Sequence, residues 1–152
     1  MVGRDIGEEI LAKNAILQTA LLAAGTGDNT EINGDGINRS GLGSMYESCK
    51  LIITGVATVA SGASITIAAN LQDSADGSTW ADYGDALATV TLLTGTSGGS
   101  EIQFETTLDN DLRGAKQYIR AQVLPDLSAG STDTAIVGAA LVFGGASEYP
   151  AT

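Results

Sequence analysis

Alternation of apolar and polar positions is clearest at Ala63–Leu71, where Ile65, Ile67, Ala69 and Leu71 fall on one side of an extended chain. That spacing predicts a half-buried strand. Similar runs recur along the chain, each bounded by glycine, serine, asparagine or aspartate. Ala15–Ala24 ends at the turn Gly25-Thr26-Gly27-Asp28-Asn29, and a short strand is expected around Thr30–Asn33 before Gly34-Asp35-Gly36. Met45–Thr54 follows, with Gly55 read as a bend or bulge. Strands are then predicted at Thr79–Tyr83, Leu87–Leu93, Glu101–Thr106, Lys116–Leu124 and Thr134–Phe143. The count is about eight or nine strands, with turn signals every 8–12 residues or so, the spacing of an antiparallel β-sandwich or jelly roll. No helix is interleaved, so a βαβ scaffold is not expected.

The first residues read differently. Asp5 followed by Glu8 resembles a capping box, and Glu8 to Lys13 favour helix. With Ile6, Ile10 and Leu11 as its large apolar residues, such a helix is too short to stand alone. The chain thus divides into an N-terminal arm with a short helix (1–14), a β-sandwich domain (15–145) and a C-terminal tail (146–152). Residues 16–25 have the length of a signal-peptide core, but Asp5, Glu8 and Glu9 stand where a basic segment is expected. No stretch approaches the ~20 apolar residues of a membrane helix. The expectation is a chain made and kept in a cytosol-like compartment, with no membrane partner.

Composition narrows the chemistry. Twenty glycines, two prolines and 5% aromatics suit short strands and many turns. Eighteen acidic against seven basic residues leave a formal charge of −11, without the clustered Lys and Arg that a phosphate backbone needs. Nucleic acid is therefore not an expected partner. There is no histidine, which removes the commonest general base and metal ligand. The single cysteine, Cys49, lies in the apolar run Cys49-Lys50-Leu51-Ile52-Ile53 and reads as a buried small residue. Neither metal nor cofactor is expected, and no enzymatic activity.

One stretch invites chemistry: LQDSADGSTWADYG, residues 71–84. Aligning Gly77 with the glycine of an EF-hand loop puts Gln72, Ser74 and Tyr83 at ligand positions, and Asp76 alone fits. Asp73 and Asp82 could form an acid/base pair across a hairpin, but carboxylates at a hairpin end face water. Trp80 and Tyr83 are the candidates for a sugar platform; three apart on a strand, they point to opposite faces. A hairpin turned at Asp76-Gly77, with Trp80 anchoring a sheet face, accounts for every residue.

The order of features is similar to that of structural proteins from tailed-bacteriophage morphogenesis regions. The resemblance rests on GTGDNTEINGDGINRSG (25–41), SMYESCKLIITG (44–55), LQDSADGSTWADYG (71–84) and KQYIRAQV (116–123), and covers roughly residues 16–144. It is closest to capsid cement or decoration proteins. It implies a jelly-roll protein that binds the outside of an icosahedral head, clamps neighbouring major capsid subunits and works as a homodimer or homotrimer. A tail or head–tail connector component, or a carbohydrate- or host-binding module, is the alternative. No catalytic residue is implied. Contacts to capsid or to sister copies are expected at Arg4, Ile6, Ile10, Leu11 and Tyr149.

Overall fold

Burial follows the two-residue period with few exceptions. In the computed structural model, which describes residues 6–96, 101–128 and 132–146, the chain forms α1 (Ile6–Glu9), β1 (Leu11–Leu22), β2 (Ile32–Asn33), β3 (Ile37–Asn38), β4 (Tyr46–Thr58), β5 (Ser64–Ser74), β6 (Ala81–Thr94), β7 (Glu101–Asp111), β8 (Tyr118–Leu127) and β9 (Thr134–Ala146). Every second residue of β5 and β8 is buried. The strands assemble into two antiparallel sheets: one in the order β1-β9-β4-β7, the other β2-β8-β5-β6, with β3 continuing β2 along β8. The chain is all-β.

The core lies between the sheets. Leu51 and Ile53 from β4 and Val137, Leu141 and Phe143 from β9 meet Ile65, Ile67 and Leu71 from β5 and Ile119 and Val123 from β8, all fully buried. Each such side chain contributes about 1.5–3 kcal/mol of burial. Phe143 tilts against Tyr46 with ring centroids 5.8 Å apart. Aliphatic residues of similar size interdigitate here with little need of aromatics, which explains the low aromatic content.

Three expectations change. The N-terminal helix through Lys13 is reduced to the single turn Ile6–Glu9. Leu11 to Asn14 instead open β1, with Leu11 opposite Phe143 and Asn14 opposite Ala140. A four-residue helix gains little hydrogen bonding for the chain entropy it costs, whereas pairing with β9 satisfies the backbone and lets Leu11 pack on the core. Second, Gly55 is no bend: β4 keeps unbroken register with β7 from Ser48 opposite Asp111 to Thr58 opposite Glu101. A Cβ there would sit 2.2 Å from the Ile136 carbonyl oxygen and 2.4 Å from Phe104 Cζ. The glycine makes room for a ring and a neighbouring strand. Third, Ala81–Tyr83 and Leu87–Leu93 are parts of one long strand, β6, interrupted by a bulge at Gly84, while Thr79 and Trp80 stay in the loop before it.

Candidate functional site

The stretch 71–84 folds as the β5–β6 hairpin, with residues 75–80 as its loop. Gly77 takes φ +74°, a region open to glycine at no cost. Asp76 organises the loop: its Oδ1 accepts from Ser78 N at 2.9 Å, Thr79 N at 2.8 Å and Ser74 Oγ at 2.8 Å. The backbone amides of Thr79 and Ser78, then the hydroxyls, hold its carboxyl well below the usual carboxylate range. Asp73 and Asp82 do not converge. Asp73 points into the sandwich, where it accepts from Lys116 Nζ at 2.6 Å and Lys116 N at 3.1 Å. Asp82, opposite Gln72, lies on the outward face and accepts from Asn70 and Gln72. Trp80 is half-buried, with the Arg120 guanidinium 4.5 Å from its ring centroid and Gly36 against its far edge. The tryptophan therefore packs, and is not an open stacking platform. Tyr83 fastens the two sheets by donating its hydroxyl to Asp111 O at 2.8 Å.

Polar residues elsewhere hold the ends of the sandwich together. Arg39, 7% exposed, donates to four carbonyl oxygens: Ala115, Lys116, Tyr46 and Leu112. It ties the β3–β4 connection to the loop before β8. Nothing in the sequence around Arg39 announces this, because its four partners lie up to 77 residues away. Arg113 grips Asp111 with two nitrogens, and that pairing holds the Asp111 carboxyl down to about 2. Cys49 is buried, and desolvation pushes its thiol up to about 12. No thiolate nucleophile exists there at neutral pH.

The surface suited to holding another protein is the outward face of the β1-β9-β4-β7 sheet. Residues paired across strands share a face. Ile52 stands opposite Ala140, Val56 opposite Ile136, Lys50 opposite Val142 and Ala20 opposite Ile136. Ile136 is 42% exposed, and Ile52, Val56, Ala140 and Val142 are half-buried. The face carries an aliphatic band, interrupted where Thr54 pairs with Gly138. Along edge strand β7 it is rimmed by Glu101, Glu105, Asp109 and Asp111, charges that guard an edge against strand addition. At one end the band runs into an open groove of about 730 Å³, lined by Ile10, Lys50, Asp109, Val142 and Gly144.

Of the expected contact residues, Ile10 lies on this groove and is 38% exposed. Leu11, one residue on, is half-buried against the core and is part of the fold. Ile6 begins α1. Arg4 and Tyr149 lie outside the described residues. The aliphatic band itself was missed by period-two reasoning. The signal was present in LIITGVAT (51–58) and TAIVGAALVF (134–143), which run apolar without alternating, as strands covered on both faces do.

No family model matches the chain. No curated protein sequence matches it either. Among solved structures it is similar to PBSX exported protein XepA, at 16% identity and TM-score 0.39, covering 91% of this chain and 38% of that one. It is also similar to the infectious bursal disease virus Gx strain structure, at 15% identity and TM-score 0.47 over 93% of this chain and 33% of that one. A third likeness is latent PorU from Porphyromonas gingivalis, at 10% identity and TM-score 0.48 over 90% of this chain and 12% of that one. The chain thus spans about a third of the length of the first two, at 38% and 33%. With identities of 16% or less and TM-scores of 0.48 or less, each is a distant likeness.

Proposed function

We propose that the chain is a non-enzymatic structural protein of a tailed-phage virion, a cement protein that binds the outer surface of the icosahedral capsid. The observation that carries this reading is the strand order, β1-β9-β4-β7 facing β2-β8-β5-β6. It is the order expected of two nested Greek keys wound into a jelly roll, an architecture frequent in viral shells. The similarity of residues 71–84 and 116–123 to phage morphogenesis proteins points the same way. So does the charge of −11, which suits the outside of a particle better than its DNA-facing wall.

In this reading the aliphatic band and the groove at Ile10 lie against neighbouring major capsid subunits. Binding the mature lattice alone stabilises it by RT ln(1 + [L]/Kd) per site. A dimer or trimer at a symmetry axis multiplies that through effective concentration. The test is co-sedimentation of the purified chain with expanded and with unexpanded heads. Expanded heads should bind it to a fixed stoichiometry and survive higher temperature once loaded. Failure to bind either form, with the chain folded, rules the reading out.

A further inference from the structure

The outward face of the β2-β8-β5-β6 sheet carries a hollow that capsid binding does not require. From Ala69, opposite Leu87, to Leu71, opposite Tyr83, strand β6 takes four steps where β5 takes two. The residues between, Gly84 to Ala86, three against the single Asn70, swing toward β7. There the side chain of Asn110, 5% exposed, accepts from Asp85 N at 2.7 Å and donates to Asp85 O at 3.3 Å. A buried amide thus replaces the missing strand partner and fixes the bulge. Bulges held in this way re-aim side chains beside binding sites. The result is a cavity of about 310 Å³ lined by Glu31, Asn70, Asp82, Ala86, Gln122 and Leu124.

Its polar groups are positioned by one another. Asn70 Nδ2 and Gln72 Nε2 donate to Asp82 Oδ1 at 2.8 and 2.9 Å. Arg120, stacked on Trp80, donates through Nε to Gln72 Oε1 at 2.9 Å. Gln122 Nε2 donates to Asn33 Oδ1 at 2.9 Å and Glu31 Oε2 at 3.2 Å. The amide donors are engaged within the network. Acceptors are left over: among the described residues, Asp82 Oδ2, Glu31 Oε1 and the side-chain oxygens of Asn70 and Gln122 accept no hydrogen bond. Beside them, Ala68, Ala86 and Leu124 provide an apolar strip.

We propose that this hollow binds a sugar ring of a surface glycan. A pyranose offers hydroxyl donors around its edge and C–H groups on its face, and the acceptor row and aliphatic strip meet both. The volume, at the low end of the roughly 300–1,000 Å³ of small-molecule sites, suits one ring rather than a long polymer. Asp82 and Glu31 disfavour phosphorylated or sulfated sugars. Tyr83 lines the hollow but is tied across the sandwich through its hydroxyl to Asp111 O, and Trp80 braces Arg120, which positions Gln72.

The test begins with an array of bacterial surface polysaccharides and of simple sugars based on glucose, galactose, mannose and N-acetylglucosamine, probed with the full chain. At least one sugar should be captured, and it should shift the backbone amides of residues 68–70, 82–87 and 122–124 in NMR spectra. Asp82→Ala should weaken binding about tenfold or more. Ala86→Trp, which fills the hollow from an exposed position and removes no hydrogen bond, should do the same without lowering the melting midpoint. Capture of no sugar overturns the proposal, as do shifts confined to other residues. Displacement by oligolysine but not by free sugar overturns it too, because the site then takes a basic peptide.

Discussion

Asp76 and Asp111 are both exposed carboxylates, and neighbouring donors make both more acidic in the folded protein than in the unfolded chain. A depressed carboxyl contributes its stabilisation fully above the unfolded value of about pH 4 and loses it as pH falls through the folded value. For Asp111 that window closes at about 2. The melting midpoint of Asp111→Asn should therefore depend less on pH between these limits than that of the natural chain, measured by circular dichroism. Equal slopes would remove the Arg113–Asp111 pair from the account. Arg39 acts through buried geometry instead. Its replacement by alanine leaves the carbonyls of Leu112, Ala115, Lys116 and Tyr46 without their donor, at a cost on the order of 3 kcal/mol in urea unfolding. A loss of a few tenths would mean that water takes over those bonds. The Asp76-Gly77 turn could be read from adjacent residues, whereas Arg39 could not, because long-range partners leave no local trace.

At the scale of elements, alternation placed β5, β7 and β8 close to where they fold, because one buried face dictates a two-residue period, and an unbroken apolar run placed β9. It misplaced features decided by a neighbouring strand. Gly55 looked like a bend because glycine weakens a strand; its reason is the Phe104 ring and the Ile136 carbonyl that a side chain would strike. Gly55→Ala should therefore destabilise the domain by about 2 kcal/mol or more, read by thermal or denaturant melts. An unchanged midpoint would show that β4 and β9 can separate freely. The N-terminal helix failed for a related reason: pairing with β9 outweighs local helix preference in Lys13 and its neighbours. Deletion of residues 1–9 should consequently leave a folded sandwich that binds heads more weakly, with the band and Ile10 still in place. Deletion through residue 14 should also cost stability, because it removes the pairing of Leu11–Asn14 with β9. Undiminished head binding after the shorter deletion would count against the arm and leave the aliphatic band as the docking surface.

For the whole molecule, fold class was legible because turn spacing and small-residue composition both demand antiparallel strands joined by turns, although the strands run longer than expected, up to 14 residues in β6. The outward aliphatic band was not. An outward aliphatic band and an inward core leave the same mark on β4 and β9, and only register shows that Ile52, Val56, Ile136 and Val142 lie outside. The two outward faces differ in chemistry: the β1-β9-β4-β7 sheet presents aliphatic groups, and the β2-β8-β5-β6 sheet presents fixed amides and carboxylates. Such a division suits a particle-bound protein with one side on a lattice and the other toward solvent. A cryo-EM map of the phage particle that carries this chain tests that arrangement most directly. The account predicts a two-sheet density outside the shell at a local symmetry axis, with the band and Ile10 touching at least two capsid subunits and the polar sheet facing outward. Density confined to the tail, or a shell bare of any such domain, would contradict it.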